Sequence, residues 1–313
     1  MTRLSICLFA ALITCSFSTA AFAQDPPAPT TPPATSAPSP AGSAPTSAST
    51  APQTEDDAVL KLAEPDFTLV SLPTSLRLPR YKSAFRVTHR FTRPLSCDFC
   101  SNSLAGDGFG TDTGANIGIE YRFGIVPNGE IGIHRTNSNK TVELFGQYGI
   151  ARQGAKVPVE ASVLAAIDAA YVGAQGTPSQ YSPAIGLIVT RLFGDRAAAY
   201  LEPIFVHHTN LSEPAIADND TFMVGVGARV RVSATVYVVG EVAPRASGYK
   251  PGVNHGSFAI EKRAGGHMFQ LTFSDSFATT FSQLARGGVE QVNANGTTKT
   301  NWYLGFNITR KFY

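Results

Sequence analysis

The chain has 313 residues, a net charge of +2 and only 15% charged side chains, against about 25% in an ordinary soluble domain. So small a positive excess argues against nucleic acid as a partner. Mean hydropathy is −0.00, yet nothing past Gln24 approaches the ~18 consecutive apolar residues of a spanning helix.

In chain order, Arg3 supplies a positive start, Ile6 to Ile13 a short apolar run, and Ala21-Phe22-Ala23 a small-residue cleavage site. Residues 1–23 are expected to be a secretory signal peptide cut before Gln24. Cys15 after Leu12-Ile13-Thr14 loosely resembles a lipoprotein site and weighs less than the better cleavage signal. Residues 24–57 are almost wholly Pro, Ala, Thr and Ser and close on Glu55-Asp56-Asp57. They cannot bury a core and are expected to form a disordered tether. Residues 58–80 hold short apolar pieces such as Phe67-Thr68-Leu69-Val70, broken by Pro65, Pro73 and Pro79. This stretch is expected to be a periplasmic lead-in lying against a barrel mouth.

From 81 to 313 the sequence alternates with a period of two. Ala115, Ile117, Ile119, Tyr121 and Phe123 oppose Asn116, Gly118, Glu120 and Arg122. Phe222, Val224, Val226, Ala228 and Val230 likewise oppose Gly225, Gly227, Arg229 and Arg231. Such alternation gives a strand one apolar and one polar face. Strands are expected at 81–92, 114–125, 129–136, 140–152, 157–170, 181–193, 196–208, 221–232, 235–243, 254–263, 266–275 and 300–313. Links after even strands are tight, as at Pro127-Asn128-Gly129 and Gly194-Asp195. Links after odd strands are mostly long, Asn137-Ser138-Asn139 excepted. The fold class is therefore all-β: an antiparallel up-and-down transmembrane β-barrel of about twelve strands. Its expected place is the bacterial outer membrane, with periplasmic termini and outer-membrane lipid around it.

The inferred lumen face carries Arg86, Arg90, Glu120, Arg122, Glu130, His134, Glu143, Glu160, Asp168, Glu202, Arg229, Arg231, Glu241, Glu261 and Arg263. Mixed charge supports two readings, a polar pore that selects solutes and an ion-paired filling that closes the barrel. Cys97-Asp98-Phe99-Cys100 in the first long loop lacks the His of a haem site and two further zinc ligands. A local disulfide is the favoured reading there, over metal or redox chemistry. His207-His208 and Asp218-Asn219-Asp220, or Asp107 with Asp112, offer metal-ligand types without a specific pattern. No cofactor is expected. His89 falls on the apolar face of the first strand; a membrane-interface position explains it, and a hydrolase would need a nucleophile motif that is not recognisable. Phe277, Phe281 and Leu284 have helical spacing within the last long loop, which either packs on itself or folds over or into the barrel.

The final strand places Trp302, Leu304, Phe306, Ile308 and Phe312 on one face. This is similar to the signal read by the outer-membrane assembly machinery, an expected biogenesis partner, although Tyr313 is one residue extra and Arg310 interrupts the apolar face. Val87-Thr88-His89-Arg90-Phe91, Ile119-Glu120-Tyr121-Arg122-Phe123-Gly124, Ile133-His134-Arg135 and Gly265-Gly266-His267-Met268-Phe269-Gln270-Leu271 carry a family resemblance. So do Gln283-Leu284-Ala285-Arg286-Gly287 and Trp302-Tyr303-Leu304-Gly305-Phe306-Asn307. Across roughly residues 66–313 the chain resembles an uncharacterised bacterial outer-membrane β-barrel family. The resemblance implies that fold and brings no activity. The expected function is a channel or transport-linked barrel for small solutes. The alternatives are an outer-membrane lipid hydrolase and a closed structural or adhesive barrel acting through its loops.

Overall fold

The computed structural model describes residues 62–97, 100–170, 180–210, 218–292 and 296–312, all within one unit, Ala51–Tyr313. The expected signal peptide, the tether and the first residues of the lead-in lie outside this range. The strands are β1 Ser83–Pro94, β2 Ala115–Val126, β3 Gly129–Thr136, β4 Val142–Ala151, β5 Glu160–Ala170, β6 Gln180–Phe193, β7 Ala197–Val206, β8 Thr221–Arg231 and β9 Val236–Ala243. They continue as β10 Arg245–Ser247, β11 His255–Ala264, β12 His267–Ser274, β13 Glu290–Val292, β14 Thr298–Thr300 and β15 Tyr303–Phe312, with helix α1 at Phe281–Arg286. Twelve of them close a barrel in sequence order: β1 to β9, β11, β12 and β15. β15 pairs antiparallel with β12 and with β1, so Val87 faces both Ile308 and Ile119 across its two ladders and the barrel closes on itself.

The barrel is apolar outside and polar inside. Ile119, Tyr121, Leu144, Ile185, Val242 and Ile260 are 44–63% exposed, while their strand neighbours Glu120, Glu143 and Glu241 are buried. A continuous belt of exposed large apolar residues is intolerable in water and ordinary in lipid. Tight turns at 127–128, 194–196, 232–235 and 265–266 mark one rim. Longer links at 95–114, 207–220, 244–254 and 275–302 mark the other. The link at 152–159 is longer than the sequence suggests, because β5 begins only at Glu160.

Two connections depart from a plain meander. Residues 62–80 do not lie beneath the barrel mouth as expected; they run inside the barrel, with Leu69, Val70 and Leu72 fully buried. Their three prolines suppress strand pairing, and an irregular backbone is tolerated at membrane depth only where protein surrounds it. From the opposite rim, the link from Asp275 to Val289 folds inward and buries all of α1 except Arg286. Gly287 ends that helix at φ 79°, a conformation only glycine adopts cheaply. The barrel therefore contains a core. Leu69, Leu72, Phe281 and Leu284 meet Leu164, Ile188, Ile204 and Met223 from the inner faces of β5 to β8. This core is why the inner face of β6 is itself largely apolar, with Ala184 and Ile188 buried in it.

Candidate functional site

The candidate site is the filled lumen, where wall side chains bind much of the backbone of the inner segment. Residues 67–74 form a tight loop closed by Thr74 N–H to the Phe67 carbonyl (2.8 Å) and Leu69 N–H to the Leu72 carbonyl (2.8 Å). At its tip the amides of Val70, Ser71 and Leu72 all donate to the Glu241 carboxylate, at 3.0, 2.9 and 3.1 Å. Three successive amides around one anion make an anion nest, with the anion supplied by the barrel wall. Wall side chains also serve the loop's carbonyls. Arg229 donates to Thr68 (2.6 Å), Gln270 to Leu69 (2.7 Å), Arg86 to Val70 (2.6 Å) and Gln147 to Thr74 (2.8 Å). Further along, Leu78 N–H donates to Glu130 (2.8 Å) and Ser75 Oγ to Glu160 (3.0 Å).

The charges facing inward pair with each other as well. Arg229 holds Glu261 at 2.8 Å. Arg122 bridges Glu130 at 2.8 Å and also Glu120, which Arg86 approaches at 3.7 Å. The Arg122 guanidinium lies 4.6 Å from the Phe145 ring centre and 5.4 Å from that of Phe67, a cation–π arrangement. Arg90 donates to Asn307 (2.7 Å). His134 stands 3.9 Å from Glu143, and both Glu202 oxygens lack a partner among the described residues. Arg231 sits half-exposed at the short-turn rim and donates to the Ala234 carbonyl at 3.1 Å.

The second lumenal segment is held the same way. Phe281 N–H donates to Glu143 (2.8 Å) and Ser282 N–H to Asp168 (3.0 Å). Ser71 Oγ donates to the Ala278 carbonyl at 3.0 Å, joining the two segments. His255 ties them a second time: Nδ1 is 2.9 Å from Asp275 and Nε2 is 3.2 Å from Glu241. Between the segments remains a cavity of about 20 Å³ lined by Ser71, Arg86, Glu120, Phe145 and Phe281. That is room for about one water, and no solute.

Ser276 Oγ lies 3.1 Å from His255 Nδ1, but this is not the geometry of a nucleophile and its base. Asp275 shares the same ring nitrogen, and the other nitrogen faces Glu241 rather than a hydroxyl. His89 stacks on Phe306 at 4.7 Å and meets Phe91 edge-on at 4.6 Å, and its Nδ1 has no hydrogen-bond partner among the described residues.

Outside the lumen, Cys97 and Cys100 form a disulfide in the first long loop. In that loop Asp107 accepts from Asn102 at 2.7 Å and pairs with Arg93 at 2.5 Å. The Asn102 hydrogen bond, followed by Arg93, holds the Asp107 carboxyl below its usual range. His207 and His208 follow the end of β7, and the positive φ of His208 (51°) brings the two rings within 3.7 Å. His207 pairs with Asp220 at 2.8 Å. Among the described residues no three His, Cys, Asp or Glu side chains are placed to hold a metal. Leu304, Phe306, Ile308 and Phe312 lie on the outer face of β15, and Trp302 precedes it.

Sequence reasoning passed over several residues that hold the lumen. Gln270, Asn307 and Lys311 occupy the polar phase of strands whose alternation was already evident, and so were readable. His255 and Asp275 lie at strand ends, where the phase is lost. Asp66, which accepts from Thr309 at 3.0 Å, belongs to the lead-in, for which the sequence offers no periodicity.

A search of the curated proteins finds no match. Among solved structures, outer membrane phospholipase A from Escherichia coli, an active-site mutant, is 9% identical over 74% of this chain and 90% of its own, with a TM-score of 0.40. The outer membrane channel DcaP of Acinetobacter baumannii is 9% identical over 73% and 71%, with a TM-score of 0.33. A mutant of the TodX monoaromatic hydrocarbon channel is 8% identical over 75% and 91%, with a TM-score of 0.35. Residues 67–312 match the model of the membrane bound beta barrel domain family (DUF5777), and the chain belongs to that family.

Proposed function

We propose that the protein is an outer-membrane channel for small solutes, closed at rest by its own residues 62–80, with the short-turn rim and both termini on the periplasmic side. The observation that carries this reading is how the closing segment is held. Side chains of the wall hydrogen-bond its backbone, with Glu241 taking three amides, and no ladder makes it a strand of the barrel. Such bonds, most of them to charged groups, exchange for water at a net cost of about 1.5–3 kcal/mol each. Moving the segment would leave a wall lined with Arg and Glu, which water and ions can occupy. Twelve strands lie between the eight that side chains alone fill and the sixteen that leave a channel.

A closed structural barrel is the second reading, and the apolar packing of Leu69 and Leu72 against the β5–β8 wall favours it. Planar-bilayer recording separates the two. The full-length protein is expected to stay mostly closed with rare openings, and deletion of residues 62–80, which leaves α1 in the lumen, to make openings much more frequent. A deletion variant that folds, by its heat-dependent gel shift, and still does not conduct would support the structural barrel.

A further inference from the structure

The mouth at the long-loop rim holds a pocket of about 430 Å³, separate from the lumenal cavity and lined by α1, by 249–252 and by 286–290. We propose that this pocket binds small organic anions that carry an apolar or aromatic body, a role that does not depend on whether the lumen opens.

Four observations build the site. Gln283 is 4% exposed; its Oε1 accepts from Thr279 N–H at 3.1 Å, which leaves its Nε2 donor without a partner among the described residues. A buried donor left unpaired costs about 1–3 kcal/mol, and a bound acceptor would recover it. Arg286, on the last turn of α1, has no carboxylate in ion-pair range among the described residues. Of the nearby acids, Asp275 is engaged by His255 (2.9 Å) and one oxygen of Asp168 by Ser282 N–H (3.0 Å), its other oxygen having no hydrogen-bond partner among the described residues. Phe277, whose ring centre lies 4.3 Å from that of Tyr303 at a tilt of 47°, and Tyr249 give the pocket aromatic surface.

Finally, the pocket is braced. Arg245 donates to the carbonyls of Pro251 (2.7 Å), Gly252 (3.1 Å) and Arg286 (3.1 Å), fixing two of the lining segments to each other. The carboxylate among the lining residues, Glu290, is exposed at the edge and hydrated by solvent. Arg286 is the more enclosed charge, so the pocket's inner end favours an anion. A carboxylate there would accept from both Arg286 and Gln283, with its body against Phe277 and Tyr249.

Calorimetric titration of the full-length protein in detergent with benzoate tests this, with benzylamine as the cation of similar shape. Saturable benzoate binding is expected, weakened about tenfold or more by Arg286→Gln, since a charge-assisted bond of this kind is worth roughly 1.4 kcal/mol or more. Benzylamine should give no binding. Gln283→Leu, of similar size, is the second variant and should also weaken benzoate. No benzoate binding by the folded protein, unchanged binding by both folded variants, or equal binding of benzylamine would overturn the proposal.

Discussion

Glu241 is the residue on which the lumen depends most. Its carboxylate accepts the amides of Val70, Ser71 and Leu72, the Ser257 hydroxyl at 2.7 Å, and faces His255. Glu241→Ala is expected to destabilise the closed state by about 3–5 kcal/mol, the usual cost of breaking a buried charged pair. Faster hydrogen exchange at residues 69–72 would measure it. Gly227 is the complementary case. A Cβ there would stand 2.2 Å from Leu69 Cδ1, so Gly227→Ala should push Leu69 from its seat and cost about 1–3 kcal/mol. Protease cleavage within 62–80 is expected in that variant and not in the parent.

At the first long loop, Asp107 carries a lowered pKa, owing first to Asn102 and then to Arg93. A depressed carboxylate contributes stability above its unfolded value, about 3.9, and loses it as pH falls through the lower folded value. Amide protection in loop 95–114 should therefore decline below about pH 4, and in Asp107→Asn the decline should be absent.

Among the elements, the barrel strands were legible and the lumenal segments were not, for a physical reason. A membrane strand must alternate, because lipid touches one face and protein or water the other. That is why Glu120 and Arg122 between Ile119, Tyr121 and Phe123 suffice to place β2. The lead-in obeys no such rule. Phe67, Leu69 and Leu72 are apolar, but Phe67 packs with Leu78 and Ala84 while Leu69 and Leu72 join the β5–β8 core, and their spacing keeps neither the strand nor the helix period. Gly225 and Gly227 held the missing signal: small residues at lumen-facing positions mark where another chain segment approaches, with Leu72 and Leu69 against them. The helical spacing of Phe277, Phe281 and Leu284 left the last loop's direction open, and the carboxylates of Glu143 and Asp168 draw it inward. Leu72→Ala, in the lead-in, should cost about 2–5 kcal/mol by the cavity it leaves. A lower temperature for loss of tertiary signal, with barrel closure on gels retained, would place that cost in the lumenal core.

As a whole the molecule is a membrane barrel with the interior of a soluble protein, in which the wall contributes hydrogen bonds and charges all round and β5 to β8 add apolar side chains. This resolves what alternation left open. The inward charges are neither a bare pore lining nor a self-contained ion-pair network, because many of them serve the backbone of two segments entering from opposite rims. Whether the N-terminal segment is a gate or a permanent core is the central issue, and locking it answers that directly. The double variant Leu72→Cys, Gly225→Cys joins the loop tip to the β8 wall, with Leu72→Cys alone as the control. In planar bilayers, no openings when oxidised and recovered openings after reduction are the expected result. Equal conductance in both states, or none in either, would contradict a channel gated by residues 62–80.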